Sequence, residues 1–152
     1  MLKIRSYESK DYDDVWNLHR VALEGTGTFI RHGKWDDDLH DIGVVYLKVG
    51  VFLVGVLGKK IIAMGALKPM GGNKAEVKRM RVLPEFQGKG FGGMILLALE
   101  KEALKKGYKV LCLDTTIHQV AAQKLYLKNG YIEISRTKEG FPFETIFYEK
   151  KL

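Results

Sequence analysis

A single cysteine, Cys112, rules out an intrachain disulfide, so no covalent cross-link stabilises the chain. Apolar runs are short. The longest, from Val49 to Gly58, is bracketed by Lys48 and Lys59 and falls below the roughly 18–20 residues a membrane-spanning helix needs. The first residues, Met1-Leu2-Lys3-Ile4-Arg5-Ser6, hold no apolar leader core and pass into a polar segment, which points to a cytoplasmic address. His19, His32, His40 and His118 show no metal-ligand spacing, and no Gly-x-Ser-x-Gly occurs; neither a bound metal nor a serine-hydrolase mechanism is expected. Aromatic residues are not interleaved with the basic ones as a stacking platform for bases requires, which speaks against nucleic acid as a partner.

The 152 residues are 46% hydrophobic and 28% charged, the balance of a globular protein, and the length predicts one domain over 1–152. The net charge of +7 is unevenly placed: residues 1–58 carry seven Lys/Arg against nine Asp/Glu, residues 59–152 eighteen against nine. A basic C-terminal part suits a phosphate-bearing ligand, although a solvated surface has the same composition.

Alternation over Leu2 to Tyr7 predicts a strand. Ser9 or Asp11 then caps a helix whose apolar positions Val15, Leu18, His19 and Ala22 precede Gly25. Gly25 to Lys34 reads as a loop. Asp36, Asp37 and Asp38 favour a second helix through the macrodipole, with Trp35, Leu39, Ile42 and Tyr46 as its stripe. These carboxylates, with Asp41, either attract a cationic amine or simply begin a solvated helix. Val51 to Leu57 and Ile61 to Leu67 form a hairpin across Gly58-Lys59. Pro69 to Asn73 reads as a loop. In the strand Ala75 to Leu83, alternation puts Glu76, Lys78, Met80 and Val82 on one face and Val77, Arg79 and Arg81 on the other. Polar residues on both faces mean that part of this strand lines a cleft or solvent. Phe91 to Lys106 is a helix closed by Gly107, Lys109 to Leu113 a short strand, Val120 to Lys128 a helix, and Tyr131 to Arg136 with Phe143 to Lys150 a final hairpin across Glu139-Gly140. Cys112, inside an apolar run, reads as packing rather than as a nucleophile. The order β-α-α-β-β-β-α-β-α-β-β predicts an α/β fold of the α+β type, a mixed, mostly antiparallel sheet with helices on both faces.

Gln87-Gly88-Lys89-Gly90-Phe91-Gly92-Gly93 lies between a strand and a helix start. Glycines there let the backbone approach a ligand, and free N–H groups at a helix start favour phosphates; a plain turn with tight packing is the alternative. A P-loop is excluded because no Gly-Lys-Ser/Thr follows at the required spacing. Gly88, Gly90 and Gly93 satisfy the dinucleotide pattern G-x-G-x-x-G, with Asp114 at a strand end downstream. However, Leu83 to Gln87 intervene between strand and glycine, and Lys78, Arg79 and Arg81 are foreign to that motif's buried strand.

The same segment resembles the pyrophosphate-binding motif Q/R-x-x-G-x-G/A of the GNAT superfamily of acetyl-CoA-dependent N-acetyltransferases, and it follows a similar strand, Glu76 to Val82. Ala122, Leu125-Tyr126 and Lys128-Asn129-Gly130-Tyr131 resemble that family's later A-x-x-L-Y-x-x-x-G-F/Y helix, and the terminal Phe147-Tyr148-Glu149-Lys150 strand is similar too. The resemblance implies a GNAT-like fold and acetyl transfer from acetyl-CoA, without metal, to a primary amine of a small molecule or peptide by direct attack in a ternary complex. It implies that Gln87, Gly88, Lys89, Gly90, Phe91 and Gly92 hold the pyrophosphate and that Met80, Arg81 and Val82 flank pantetheine as one more strand. Gln119, where members often carry asparagine, implies an amide contact with pantetheine from a longer stem. Tyr126 corresponds to the general acid, against the plain reading of a core aromatic; Glu76 corresponds to the group accepting the amine's proton, against a surface ion pair with Lys78 or Arg79. A homodimer is plausible from the resemblance alone. The rival readings are a non-catalytic CoA-binding sensor on the same scaffold and, more distantly, a nucleotide- or nucleic-acid-binding module.

Overall fold

The computed structural model describes residues 1–30 and 34–152; Arg31, His32 and Gly33, within the loop read from Gly25 to Lys34, lie outside the described residues. The elements are β1 (Leu2–Ser6), α1 (Tyr12–Glu24), β2 (Val51–Leu57), β3 (Lys60–Gly71), β4 (Lys74–Val82), α2 (Phe91–Lys105), β5 (Val110–Thr116), α3 (Val120–Lys128), β6 (Ile132–Thr137) and β7 (Thr145–Lys151). Seven strands form one sheet in the order β1-β2-β3-β4-β5-β7-β6. Every neighbouring pair is antiparallel except β4 with β5.

Alternation in the sequence sets the two faces. On β2, Phe52 and Val54 point to the side where the rings of Tyr7 and Tyr46 pack against Phe52 at 5.5 and 5.4 Å. That side is covered by α1 and residues 34–47, joined by the Trp16 indole donating to the Leu39 carbonyl at 3.3 Å. On the other face α2 lies so close that a Cβ at Gly65 would sit 2.7 Å from Ile95 and 2.9 Å from Leu99; no larger residue fits there. α3 packs beside the start of α2, with Leu125 3.2 Å from a Cβ built at Gly92. No helix among the described residues is long and apolar enough to cross a membrane.

Five readings need correction. Asp11 stands at the N-cap of α1, but at the end of a 3₁₀ turn, Ser9–Asp11, and its carboxylate makes no cap bond to the helix; it accepts the Glu8 N–H at 2.8 Å and two bonds from Arg5 at 2.7 and 2.9 Å. The expected helix around Asp36–Asp38 is instead a 3₁₀ segment, Lys34–Asp41, followed by a π turn, Gly43–Leu47. Strand β3 runs through Pro69 to Gly71, into the segment read as loop, and β5 extends to Thr116.

The fifth correction decides the site. Ala66 pairs with Lys78, but Met64 pairs with Arg81, so β4 holds one extra residue, a bulge at Arg79, whose φ is +59°. Alternation holds up to Lys78 and inverts beyond it. Met80 and Val82 join Val77 on the α2 face, Met80 reaching the space over Gly65 and Val82 that over Gly92. Arg81 joins Glu76 and Lys78 on the α1 face.

Candidate active site

β4 and β5 pair only from Lys74–Val110 to Glu76–Cys112. Beyond that point the strands separate, and residues 77–82 have β3 on one side and an open edge on the other. Two carbonyls on that edge are held by side chains: Arg81 Nη1 donates to Met80 O at 2.7 Å and Gln87 Nε2 to Val82 O at 2.9 Å. Two cavities open along this split, of about 380 and 290 Å³. They share Met80, Arg81, Gln119, Ala122 and Tyr126 as wall.

The larger cavity is floored by the glycine loop. Gly88 and Gly90 stand at φ +75° and +88°, with no atom within 4 Å of the place a Cβ would take. The left-handed backbone, rather than crowding, therefore demands glycine at both positions. Gly90 is the N-cap of α2, whose first turn contains no acidic residue, so the helix presents free N–H groups and an uncompensated positive dipole end to the cavity. Arg81, Lys124 and Lys128 are its charged lining residues, with no carboxylate among the described lining. Such a surface suits a polyanion, and the residues present fit a diphosphate in chemistry and placement. Gly92 and Gly93 serve packing, because Leu125 occupies the space beside them.

Of the residues singled out in the sequence, Met80, Arg81, Val82, Gln87, Gly88, Gly90, Phe91, Gly92, Gln119 and Tyr126 line this cavity. Lys89 does not; its ammonium lies 5.7 Å from the Phe86 ring centre, so only its backbone belongs to the loop. Gln119 Oε1 accepts from the Thr115 hydroxyl at 2.6 Å and from Thr116 N at 3.4 Å, leaving its amide NH₂ as the free half.

The smaller cavity is lined by charge: Asp36, Glu76 and Asp114 against Lys78, Arg79 and Arg81. Glu76 forms no ion pair among the described residues. Burial, reinforced by Asp114, pushes its carboxyl above the usual range despite Lys78, and burial does the same to Asp114. Asp114 shows in the sequence only as the acid downstream of a glycine pattern; that a strand continuing to Thr116 carries it is hidden by the end of the apolar run at Leu113.

Asp36 and Asp38 are neither free for a ligand nor a solvated helix start. Arg79 donates to Asp38 through Nε at 2.9 Å and through Nη2, and to Asp36 through Nη1 at 3.2 Å. Tyr46 donates its hydroxyl to Asp38, and His19 Nε2 meets Asp36 Oδ1 at 2.9 Å. Burial is the largest single influence and works against both carboxylates, but the bond from His19 with the charge of Arg79 at Asp36, and the bonds from Arg79 and Tyr46 with the charge of Arg79 at Asp38, together outweigh it and hold both below the usual range. His19 is fully buried, which lowers its imidazole below the ordinary value and leaves it neutral at pH 7. This network fixes the left-handed Arg79 and hence the bulge.

Tyr126 stands where the cavities meet. Its ring packs edge-on to Tyr131 at 5.9 Å and lies 6.0 Å from Tyr148, so it is a core aromatic and a cavity wall together. Burial pushes its phenol up to about 12, so it is protonated at neutral pH. Cys112 is half-buried on β5, its Sγ 3.7 Å from Glu149 Oε2, and burial raises the thiol; a thiol so held is a poor nucleophile.

A split strand pair, a glycine loop at a helix start and a tyrosine between two cavities thus meet along the open edge of β4. Residues 7–131 match the Acetyltransferase (GNAT) family, and the chain belongs to that family. It is 28% identical over 122 residues to the N-acetylaspartate synthetase of Danio rerio, which covers 74% of this chain but only 43% of that protein. An acetyltransferase of the GNAT family from Staphylococcus aureus Mu50 superposes with a TM-score of 0.89 at 19% identity, covering 100% of this chain and 99% of the other. The PaiA N-acetyltransferase of Thermoplasma acidophilum, solved in complex with coenzyme A, has a TM-score of 0.78 at 21% identity, covering 100% of this chain and 99% of that one.

Proposed function

We propose that this chain transfers the acetyl group of acetyl-CoA to a primary amine of a small molecule or peptide, by direct attack in a ternary complex. The observation that carries this reading is the junction of two unlike cavities at Tyr126, one built for a polyanion and the other for a charged acceptor. In this reading the amides around Gly88 to Gly92 grip the diphosphate, and the open edge of β4 at Met80 and Val82 pairs with the pantetheine arm. Acetyl-CoA supplies a thioester carbonyl at the junction.

Glu76 takes the proton from the incoming amine, directly or through water. An alkylamine begins near pKa 10.4, so a carboxylate raised by burial is a better-matched base than an ordinary one. A backbone N–H of the β4 edge stabilises the oxyanion. Tyr126 then gives its phenolic proton to the departing thiolate and regains one from the nitrogen as the amide forms, so that the net proton released is the one taken by Glu76, which passes to water. The half-buried, hydrogen-bonded Cys112 offers no covalent relay.

Monitoring free-thiol release from acetyl-CoA against a panel of amines, with acetylated product identified by mass spectrometry, tests the reading. Saturable, amine-dependent release is expected. Tight CoA binding with no transfer to any amine would instead make the chain a sensor, and salt-dependent oligonucleotide binding without CoA affinity would make it a nucleic-acid module.

A further inference from the structure

Arg79 and Arg81 line the same cavity but stand in opposite electrostatic states. Arg79 is saturated by Asp36, Asp38 and the Trp35 carbonyl. Arg81 has no carboxylate within ion-pair distance among the described residues; Nη1 donates to the neighbouring Met80 carbonyl, and its Nε is sealed from solvent with no partner among them. A guanidinium has five N–H donors and stays charged, and burying one without a counter-charge is costly unless a ligand supplies it. Burial and the nearby Arg79 lower Arg81 to about 10, which still leaves it cationic at neutral pH.

We infer that Arg81 recognises a carboxylate on the acceptor, so that the substrate is an amino acid or a similar amine with a free carboxylate close to its nitrogen. The inference rests on the acetyl-transfer reading and narrows it. Three observations support a carboxylate there. Arg81 is on the wall shared by both cavities beside Tyr126, so the group it binds must sit close to the reacting nitrogen. The diphosphate is taken by the glycine loop, and the pantetheine arm reaching the junction is uncharged, so only the acceptor is left to bring an anion. Finally, Glu76 and Asp114 line the acceptor cavity without ion pairs among the described residues, which favours a ligand bearing both signs over a dianion such as a phosphate. The planar fork of arginine matches a carboxylate bidentately.

The test compares α-amino acids with their carboxamides as acceptors, in the unmodified protein and in Arg81→Met and Arg81→Lys. The expected result is a kcat/KM ratio of acid over carboxamide that favours the acid, falls by about 10- to 100-fold in Arg81→Met, and is partly restored in Arg81→Lys. Equal use of acid and carboxamide, or a loss of rate in Arg81→Met that leaves their ratio unchanged, overturns the inference while acetyl transfer stands; the second pattern would make Arg81 an oxyanion or fold residue. If neither acceptor class releases CoA, the acetyl-transfer reading fails. Calorimetric titration with N-acetyl amino acids then decides the carboxylate site alone: saturable binding lost in Arg81→Met supports it, and no binding overturns it.

Discussion

The two cavities that meet at Tyr126 are built from different materials. The one under the glycine loop works through backbone: left-handed glycines, free amides of a helix start and two strand carbonyls held by Gln87 and Arg81. The one under α1 works through side chains gathered from β4, β5 and the 34–41 segment. A backbone site tolerates side-chain exchange but not an added Cβ, whereas a side-chain site depends on every charge finding its partner. Substitutions should therefore fail differently on the two sides.

The largest effect is expected on the side-chain side. Asp38→Ala leaves the nearly buried Arg79 with one carboxylate fewer and should destabilise the fold by about 3–5 kcal/mol, read as a lower denaturant midpoint at unchanged slope; a loss under about 1 kcal/mol would show the network to be ornamental. At the junction, Tyr126→Phe should lower kcat by about 100-fold or more with CoA affinity intact, since only the donated proton is removed. On the backbone side, Gly90→Val forces a β-branched residue to φ +88° and should raise the KM for acetyl-CoA by about tenfold with the acceptor KM unchanged. An equal rise in both constants would erase the distinction between the cavities.

The smallest effect is a gain. Glu76 has a folded-state pKa above its unfolded value, so its ionisation costs stability as pH rises through that folded value. Glu76→Gln should therefore raise Tm at pH 7 while slowing transfer, and the gain should vanish below about pH 4, where the carboxyl is protonated in both states. A Tm difference independent of pH would remove Glu76 from the list of strained carboxylates.

The same contrast explains what could be read from residues alone. The glycine loop was legible because left-handed backbone and amide exposure are written locally, at Gly88 and Gly90. Strands with clean alternation, such as Val51 to Leu57, were equally open. The charged cavity was not, because its partners are 41 and 43 positions apart at Arg79–Asp38 and Arg79–Asp36. The helix expected there failed for a related reason. Two carboxylates spaced i and i+2 project to nearly opposite sides of an α-helix, and the tighter 3₁₀ winding brings both closer to one guanidinium. Nor does alternation foresee a bulge that is held in place by aspartates far upstream.

That bulge makes β4 behave like a sentence with one inserted letter. Losing the single codon of Arg79 would return the strand to strict alternation and leave every downstream side chain on the face it has now, Arg81 toward α1 and Met80 and Val82 toward α2, while removing the guanidinium that ties the 34–41 segment to the strand. The extra residue thus adds a tether to the strand without moving the side chains that flank it, with the direction and pairing partner of the strand left as they are.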